Sequence, residues 1–432
     1  MLKSNIFPIL LVNFIGILGI SVVIPILIFI VTDFGGNGFV YGLLGATYPF
    51  FQFIGAPILG KLSDRVGRKK VLVISQAGTF FSWSLFLLAF FLPTIEVWKQ
   101  TTSWTGSYLM TLPLLIIFVA RMLDGFTGGN ISVANAYMSD ISTDEDRSEN
   151  FGKMGASSSM GFVVGPALAG LLASTIMGEI LPIIIASAIS LAAIFIIIFR
   201  LKESNPCVVD TNSISFKGFR QFFQVSHKPC YTEGQVEMEK ESNDGWRSII
   251  KVEGVPSLYV IYFITFLAFS LFYAGWPVYV SSQLGWSSIQ LGIFLAYFSL
   301  VMVFVQGPGL KILSKRLSSK RLILYGSLVL SAGFAILTTG NEMILFVAAT
   351  VMAVGNGVMW PSFMAVLSKA GTSDSQGSIQ GYGSSMGSIA SILGLVMGGL
   401  LVQSLGTWVF LMAAGLFLII AAFCFSIDSQ DG

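Results

Sequence analysis

Residues 60–70 read GKLSDRVGRKK. Five cations and one carboxylate crowd into these eleven residues, although the chain as a whole is only 11% charged. The apolar run VYGLLGATYPFFQFIGAPIL precedes them and VLVISQAGTFFSWSLFLLAFFLP follows. A short polar hairpin joining two membrane helices accounts for so sharp a local contrast.

The rest of the chain agrees. It is 54% hydrophobic, with a mean hydropathy of +0.81, well beyond the composition of a soluble domain. Apolar runs long enough to cross about 30 Å of hydrocarbon as helices recur throughout. Met1–Asn5 carries a single Lys3 and no small-residue cleavage pattern follows the first apolar run, so no cleavable leader is expected. Cys207, Cys230 and Cys424 form no spaced set, which argues against a disulfide framework or a metal site.

Hydropathy places helices near 6–31, 40–60, 70–93, 109–139, 151–174, 180–200, 256–280, 289–311, 321–339, 342–369, 378–403 and 406–426. The fold class expected is therefore an all-α polytopic membrane protein of twelve transmembrane helices in two six-helix bundles. Residues 1–200 form the first bundle, 201–255 a polar central loop with the only histidine, His227, and 256–432 the second bundle. An even number of spans puts both termini on one side. That side also receives the hairpin, Arg147, Lys153, the central loop, the run Lys311, Lys315, Arg316, Lys320 and Arg321, and Lys369. Of the 24 Lys and Arg residues, only Lys99 falls opposite and only Arg121 within a helix. The cation bias makes this face cytoplasmic, in a cell (plasma or inner) membrane. The halves echo each other, with a basic connection after the second helix of each and a glycine- and serine-rich fifth helix in each. Repetition of this kind is how many transporters are built, with the substrate path between the repeats.

The fourth helix carries the chemistry. In ARMLDGFTGGNISVANAYMSD, residues 120–140, Arg121, Asp124, Gly125, Gly128, Ser132, Asn135 and Ser139 recur at three- and four-residue steps and share a face. A charge at bilayer depth costs at least about 2.5–3.5 kcal/mol, so this face meets an aqueous cavity or a partner helix. One reading is a structural ion pair. The other makes Asp124 a proton-binding group whose affinity is set by burial and by Arg121. In the fifth helix, Gly161, Gly165, Pro166 and Gly170 favour close packing and a kink. With its counterpart at 383–399, it suggests an interface along which the halves rock. Gly60, Asp64, Arg65, Gly67 and Arg68 of the hairpin, with Asp140 at the end of the fourth helix, suggest a conformational latch worth a few kcal/mol. Polar and aromatic candidates for a substrate cavity are Asn13, Gln52, Asn135, Tyr273, Trp276, Gln306, Asn356, Trp360 and Tyr382. Interfacial anchoring is the competing reading for Trp276 and Trp360.

GKLSDRVGRKK at 60–70, RMLDGFTGG at 121–129, GFVVGPALAG at 161–170, AYMSDISTDEDRSENFG at 136–152 and QGSIQG at 376–381 resemble motifs of the major facilitator superfamily, specifically its drug/proton antiporters and, within those, the tetracycline-efflux branch. The resemblance covers nearly the whole chain outside 201–255. It implies two six-helix bundles, alternating access, and an approach of Asp64 to the start of helix eleven near Gly377 and Ser378. It also implies membrane carboxylates in the first and ninth helices. Alignment through the shared isoleucine–proline segment puts Gly16 and Leu330 at those positions, whereas Asp124 stands where that branch has a small residue.

Three classes of function follow: an exporter of amphipathic organic compounds in exchange for protons, a facilitator or symporter for uptake, and a non-transporting scaffold or receptor. A membrane enzyme fits least, for His227 is alone and no ligand spacing or phosphate-cradling loop occurs. The expected partners are a small-molecule substrate, protons and the lipid bilayer, without cofactor, metal or nucleic acid, in a monomer.

Overall fold

The computed structural model describes residues 6–128, 130–143, 146–204, 250–252, 254–370 and 376–424. The first span is a bent pair, α1 (Phe7–Val23) and α2 (Leu27–Asp33), meeting at 44°. Pro25 sits at the break and supplies no amide to continue the ladder. Span 2 is α3 (Gly38–Val66) and span 3 is α4 (Arg68–Ala89). Strands β1 (Glu96–Thr102) and β2 (Gly106–Thr111) pair antiparallel, with Lys99 opposite Leu109. Span 4 is α5 (Leu112–Thr127) continued by α6 (Asn130–Ile141), span 5 is α7 (Arg147–Ala173) and span 6 is α8 (Ile180–Arg200).

In the second half, span 7 is α9 (Val255–Gln283). Span 8 is α10 (Ser288–Phe304), running through a π-helical turn at Val305–Gly309 into α11 (Leu310–Leu313). Spans 9 to 12 are α12 (Ser319–Ile336), α13 (Glu342–Lys369), α14 (Gln376–Leu405) and α15 (Trp408–Phe423). Among the described residues, ten helical stretches are long and apolar enough to cross a membrane. The bent pair, taken as one span, makes an eleventh, and Trp408–Phe423 is a shorter apolar helix after them. The chain is a multi-pass integral membrane protein.

Three details depart from the hydropathy reading. The bundle carries a β-hairpin between spans 3 and 4, where only loop was expected. The basic stretch at 60–70 is barely a loop: span 2 continues to Val66, and Gly67, at φ 102°, turns the chain into span 3 within one residue. Only glycine takes that backbone angle without strain. Long cationic side chains let those last turns stay helical while their charges reach water. Span 4 runs as one stretch, Leu112–Ile141, but its regular hydrogen bonding is interrupted at Gly128.

The internal repetition is visible in the packing. Span 1 lies on spans 5 and 6 as span 7 lies on 11 and 12; span 3 lies on 4 and 6 as span 9 lies on 10 and 12. Between the halves, span 2 meets span 11 and span 5 meets span 8. Those contacts gather at the end bearing the β-hairpin. There a Cβ on Gly42 would come 3.1 Å from the Cα of Gly399, and one on Gly170 3.1 Å from that of Gly292. Near the basic end of the same four helices, Gly60, Gly155, Gly307 and Gly381 have nothing within 4 Å of an added Cβ among the described residues. The apolar core repeats this asymmetry. One cluster joins both halves at the hairpin end, whereas Ile9, Leu59, Val66, Leu72, Val133 and Met138 belong to a separate cluster confined to the basic end of the first half. A cleft between the halves thus opens at the basic end.

Candidate functional site

Span 4 presses its Arg121–Asp124 face onto span 2. Gly55 and Gly125 make this possible, since a Cβ on either would run into the backbone carbonyl of Phe126 or Tyr48 respectively. Where α5 ends at Thr127, neighbouring side chains reach the backbone carbonyls. Gln52 Nε2 donates to Gly128 O at 3.1 Å, and Ser75 Oγ donates to Thr127 O. Irregular backbone at membrane depth is satisfied by neighbouring side chains, as it must be in hydrocarbon.

Beside this break lies the charged pair. Arg121 Nη1 donates to Asp124 Oδ2 at 3.2 Å, and both residues are nearly inaccessible, at 6% and 5% exposure. The guanidinium carbon sits 4.7 Å from the centroid of the Tyr48 ring, an attraction of about 0.5–2 kcal/mol. Asp124 also borders a small chamber lined by Gly16 and Gly19 of span 1, Tyr48 of span 2, Gln76, Thr79 and Trp83 of span 3, Gly128, and Ser190 of span 6. The Trp83 indole N–H is buried without a hydrogen-bond partner among the described residues. The position where the resemblance implied a carboxylate, Gly16, therefore opens onto the same chamber as Asp124. Leu330, the other such position, is fully buried and packs against Gly355 of span 10.

At the basic end, Arg68 gathers three partners: Asp64 Oδ1 at 2.6 Å from Nη2, Asp140 Oδ2 at 3.0 Å from Nε, and Ser63 Oγ at 2.6 Å from Nη1. Arg65 occupies the last turn of span 2, where a cation suits the helix dipole. Sequence reasoning missed Glu203. Its carboxylate accepts from Arg68 N at 2.7 Å and Lys69 N at 3.1 Å, capping span 3, while Ser204 Oγ donates to Asp140 at 3.0 Å. The available signal was an acid just past the cationic end of an apolar helix. The surroundings of Gly377 and Ser378, and residues 205–249 altogether, lie outside what is described.

The packing motif behaves differently from its reading as a rocking interface. Gly161 and Gly165 pack span 5 on span 1 of the same half, and Ser21 Oγ donates to Gly161 O at 2.9 Å. Pro166 lies inside a continuous helix. Gly170 and the carbonyl of Pro166, toward the hairpin end, meet Gly292 of the other half. Span 11 matches this: Gly387, Gly394 and Gly398 pack on span 7, and Gly399 crosses.

The cavity candidates scatter. Asn135 is exposed on span 4. Asn13 is buried, its amide donating to Met154 O at 3.1 Å and Ser158 Oγ at 2.8 Å, so it ties span 1 to span 5. Trp276 is fully buried, 4.9 Å from the Phe294 ring and 5.6 Å from that of Phe410, and belongs to the aromatic core of the second half. Neither lines the cleft, because each finds its partners within its own bundle. Gln306 sits in the π-helical turn, half-buried. Asn356 contacts Met302 Sδ at 3.0 Å. Tyr273 offers its carbonyl to Tyr41 OH at 3.1 Å across the halves. Trp360, half-buried, stands edge-on to Tyr262 and Phe266 at 5.3 and 5.5 Å, and Tyr382 is half-buried on span 11.

Two pseudo-symmetric six-helix halves, packed together at one end and parted at the other, with a charge pair buried inside the first, define a membrane transporter that works by alternating access. Residues 9–232 and 258–431 match the family model of the Major Facilitator Superfamily, and the chain belongs to that superfamily. It is 27% identical over 413 residues to the tetracycline resistance protein, class C, of Escherichia coli, covering 93% of this chain and 91% of that protein. Multidrug resistance protein 1 of Bacillus subtilis (strain 168) is 28% identical over 406 residues, with 92% and 90% covered. In fold the chain resembles a D-xylose–proton symporter (TM-score 0.71, 14% identity, 99% of both chains). It also resembles a bacterial homologue of the human lysosomal transporter Spinster, in an inward-facing and unoccupied conformation (TM-score 0.70, 13% identity, 98% of both).

Proposed function

We propose that the protein exports an amphipathic organic compound in exchange for protons, with Asp124 carrying the proton and Arg121 its fixed counter-charge. The observation that carries this reading is the buried pair at 3.2 Å beside a chamber that also takes in Gly16. A carboxylate placed on span 4 enters the same space as one placed on span 1, so the charge has moved across the chamber and not out of it. The names of the relatives at 27% and 28% identity support export of drug-like compounds. The cation bias supports a cytoplasmic basic end, hence a cleft open to the cytoplasm, in a cell membrane. The substrate enters between the polar wall of the first half and the aromatic wall around Trp360. The latch residues Asp64, Arg68 and Asp140 bias the cycle, and the chain acts as a monomer without cofactor.

The test is exchange measured in proteoliposomes with an imposed pH gradient. Asp124→Asn should abolish proton-coupled movement, measured on the monodisperse fraction because the unpaired Arg121 charge also lowers stability. The double variant Gly16→Asp, Asp124→Gly should regain part of it, because the acid returns to the chamber from the opposite wall. Unchanged coupling in Asp124→Asn refutes the assignment. Uptake by a facilitator or symporter is the second reading, favoured by Gly16 and Leu330, and it predicts accumulation along an inward proton gradient.

A further inference from the structure

At the hairpin end, the last turns of span 11 lie against the first turn of span 2. A Cβ on Gly38 would come 3.0 Å from the carbonyl oxygen of Gly399. One turn beyond Gly399 lies the Gln403 amide, whose O and N are assigned from their neighbours: with the oxygen turned toward span 2, it accepts from Gly38 N at 2.7 Å and from Phe39 N at 2.8 Å. The first amides of a helix have no carbonyl of their own helix to reach and need an outside acceptor. Asn37, the residue before the helix, serves Val40 N at 3.2 Å. The cap of span 2 is therefore shared between the two halves of the molecule, Asn37 from one and Gln403 from the other.

The β-hairpin completes this arrangement. Asn37 Nδ2 donates to Thr105 O at 2.7 Å and to Ser107 O at 3.3 Å, gripping the turn between the strands. Thr111 Oγ1 donates to Phe34 O at 2.8 Å and Leu109 N to Gly35 O at 2.9 Å, so the second strand runs along the segment leading into span 2. Gly106, at φ 70°, turns the chain where Gln403 approaches.

We propose that Gln403 is a gating residue, closing the hairpin end by capping span 2 across the halves, and that the β-hairpin holds the start of span 2 in place to receive it. When the halves part at this end, the Gln403 carbonyl leaves Gly38 N and Phe39 N, and those amides turn to water. Gln403 is exposed, so water competes with its hydrogen bonds. The device biases the equilibrium and does not lock it. It rests on the alternating-access reading but on no particular cargo and no proton.

Spin labels at Met177 and Trp408, both exposed at the hairpin end of opposite halves, report the separation there by pulsed electron resonance. The three native cysteines are first replaced by serine, and no substrate or gradient is applied. Gln403→Leu keeps the bulk and removes the acceptor, and should raise the widely separated population about fivefold, the worth of one or two such bonds. Asn37→Ala should act in the same direction. Gln403→Glu places a full negative charge at the helix N-terminus and should lower that population below the parent level. Leu and Glu variants that move the distribution in the same direction, or leave it unmoved, overturn the inference. A failed transport assay would remove the proposed cargo and coupling while leaving these distances as they are.

Discussion

The two charges of span 4 depend on each other. Removing Arg121 leaves the Asp124 carboxylate buried beside apolar and weakly polar neighbours, a loss of about 3–5 kcal/mol when one partner of a buried pair is taken away. Arg121→Leu should therefore reduce the yield of folded protein and its melting temperature in detergent, and Arg121→Leu with Asp124→Leu should recover most of both. Arg121→Lys keeps the charge but gives up the flat stacking on Tyr48, and should lower the melting temperature less than Arg121→Leu does. That Arg121 and Asp124 share a face was legible in the sequence, because helical spacing fixes which residues are neighbours on one helix. Asn13 and Trp276 were not legible in this way. Each is polar or aromatic in a membrane helix, a property equally compatible with a cleft and with a bundle interior, and only the neighbouring helix decides. Span 5 supplied Ser157 and Ser158 against Asn13, and a ring of aromatic residues enclosed Trp276.

Small residues at helical spacing told where spans 5 and 11 would be closely approached, but not by which helix. The answer is a division of labour along each of them. Much of each is fitted to span 1 or span 7 of the same half, and the turns toward the hairpin end, from Pro166 in span 5 and Leu395 in span 11, also meet the other half. Substitution should separate the two roles. Gly161→Leu wedges against Ile17 and Leu18, where even a Cβ would come within 3.0 Å. Overpacking of this kind costs about 1–3 kcal/mol and should appear as a lower melting temperature with the hairpin end still closed. Gly292→Ala meets the Gly170 backbone of the other half, so it should leave the melting temperature nearly unchanged and instead open that end, as read by the distance between spin labels at Met177 and Trp408. The β-hairpin was invisible beforehand for a related reason. Glu96–Gln100 are exposed on every face, so no apolar alternation marks the strand; residues 94–108 read as connection between two spans and 109–111 as the start of the next helix.

At the scale of the whole molecule, four helices report which way the cleft faces. Spans 2, 5, 8 and 11 pack glycine against glycine at one end and, among the described residues, leave Gly60, Gly155, Gly307 and Gly381 clear of close neighbours at the other. A single cysteine introduced at Gly155 or at Asn135, which is exposed on span 4, should react with a bulky membrane-impermeant thiol reagent added from the side bearing the basic connections, and not from the opposite side. A cysteine at Leu395, which faces Gly45 of span 2, should be protected from both sides in this state and become reactive from the hairpin side when the halves rock. Protection of position 395 should then fall in the Gln403→Leu background, while reactivity at 155 should fall with it, since one pair of rigid halves cannot part at both ends. Independent changes at the two positions would mean that the ends open separately, and that the continuous core joining the halves at the hairpin end is not the pivot of the motion.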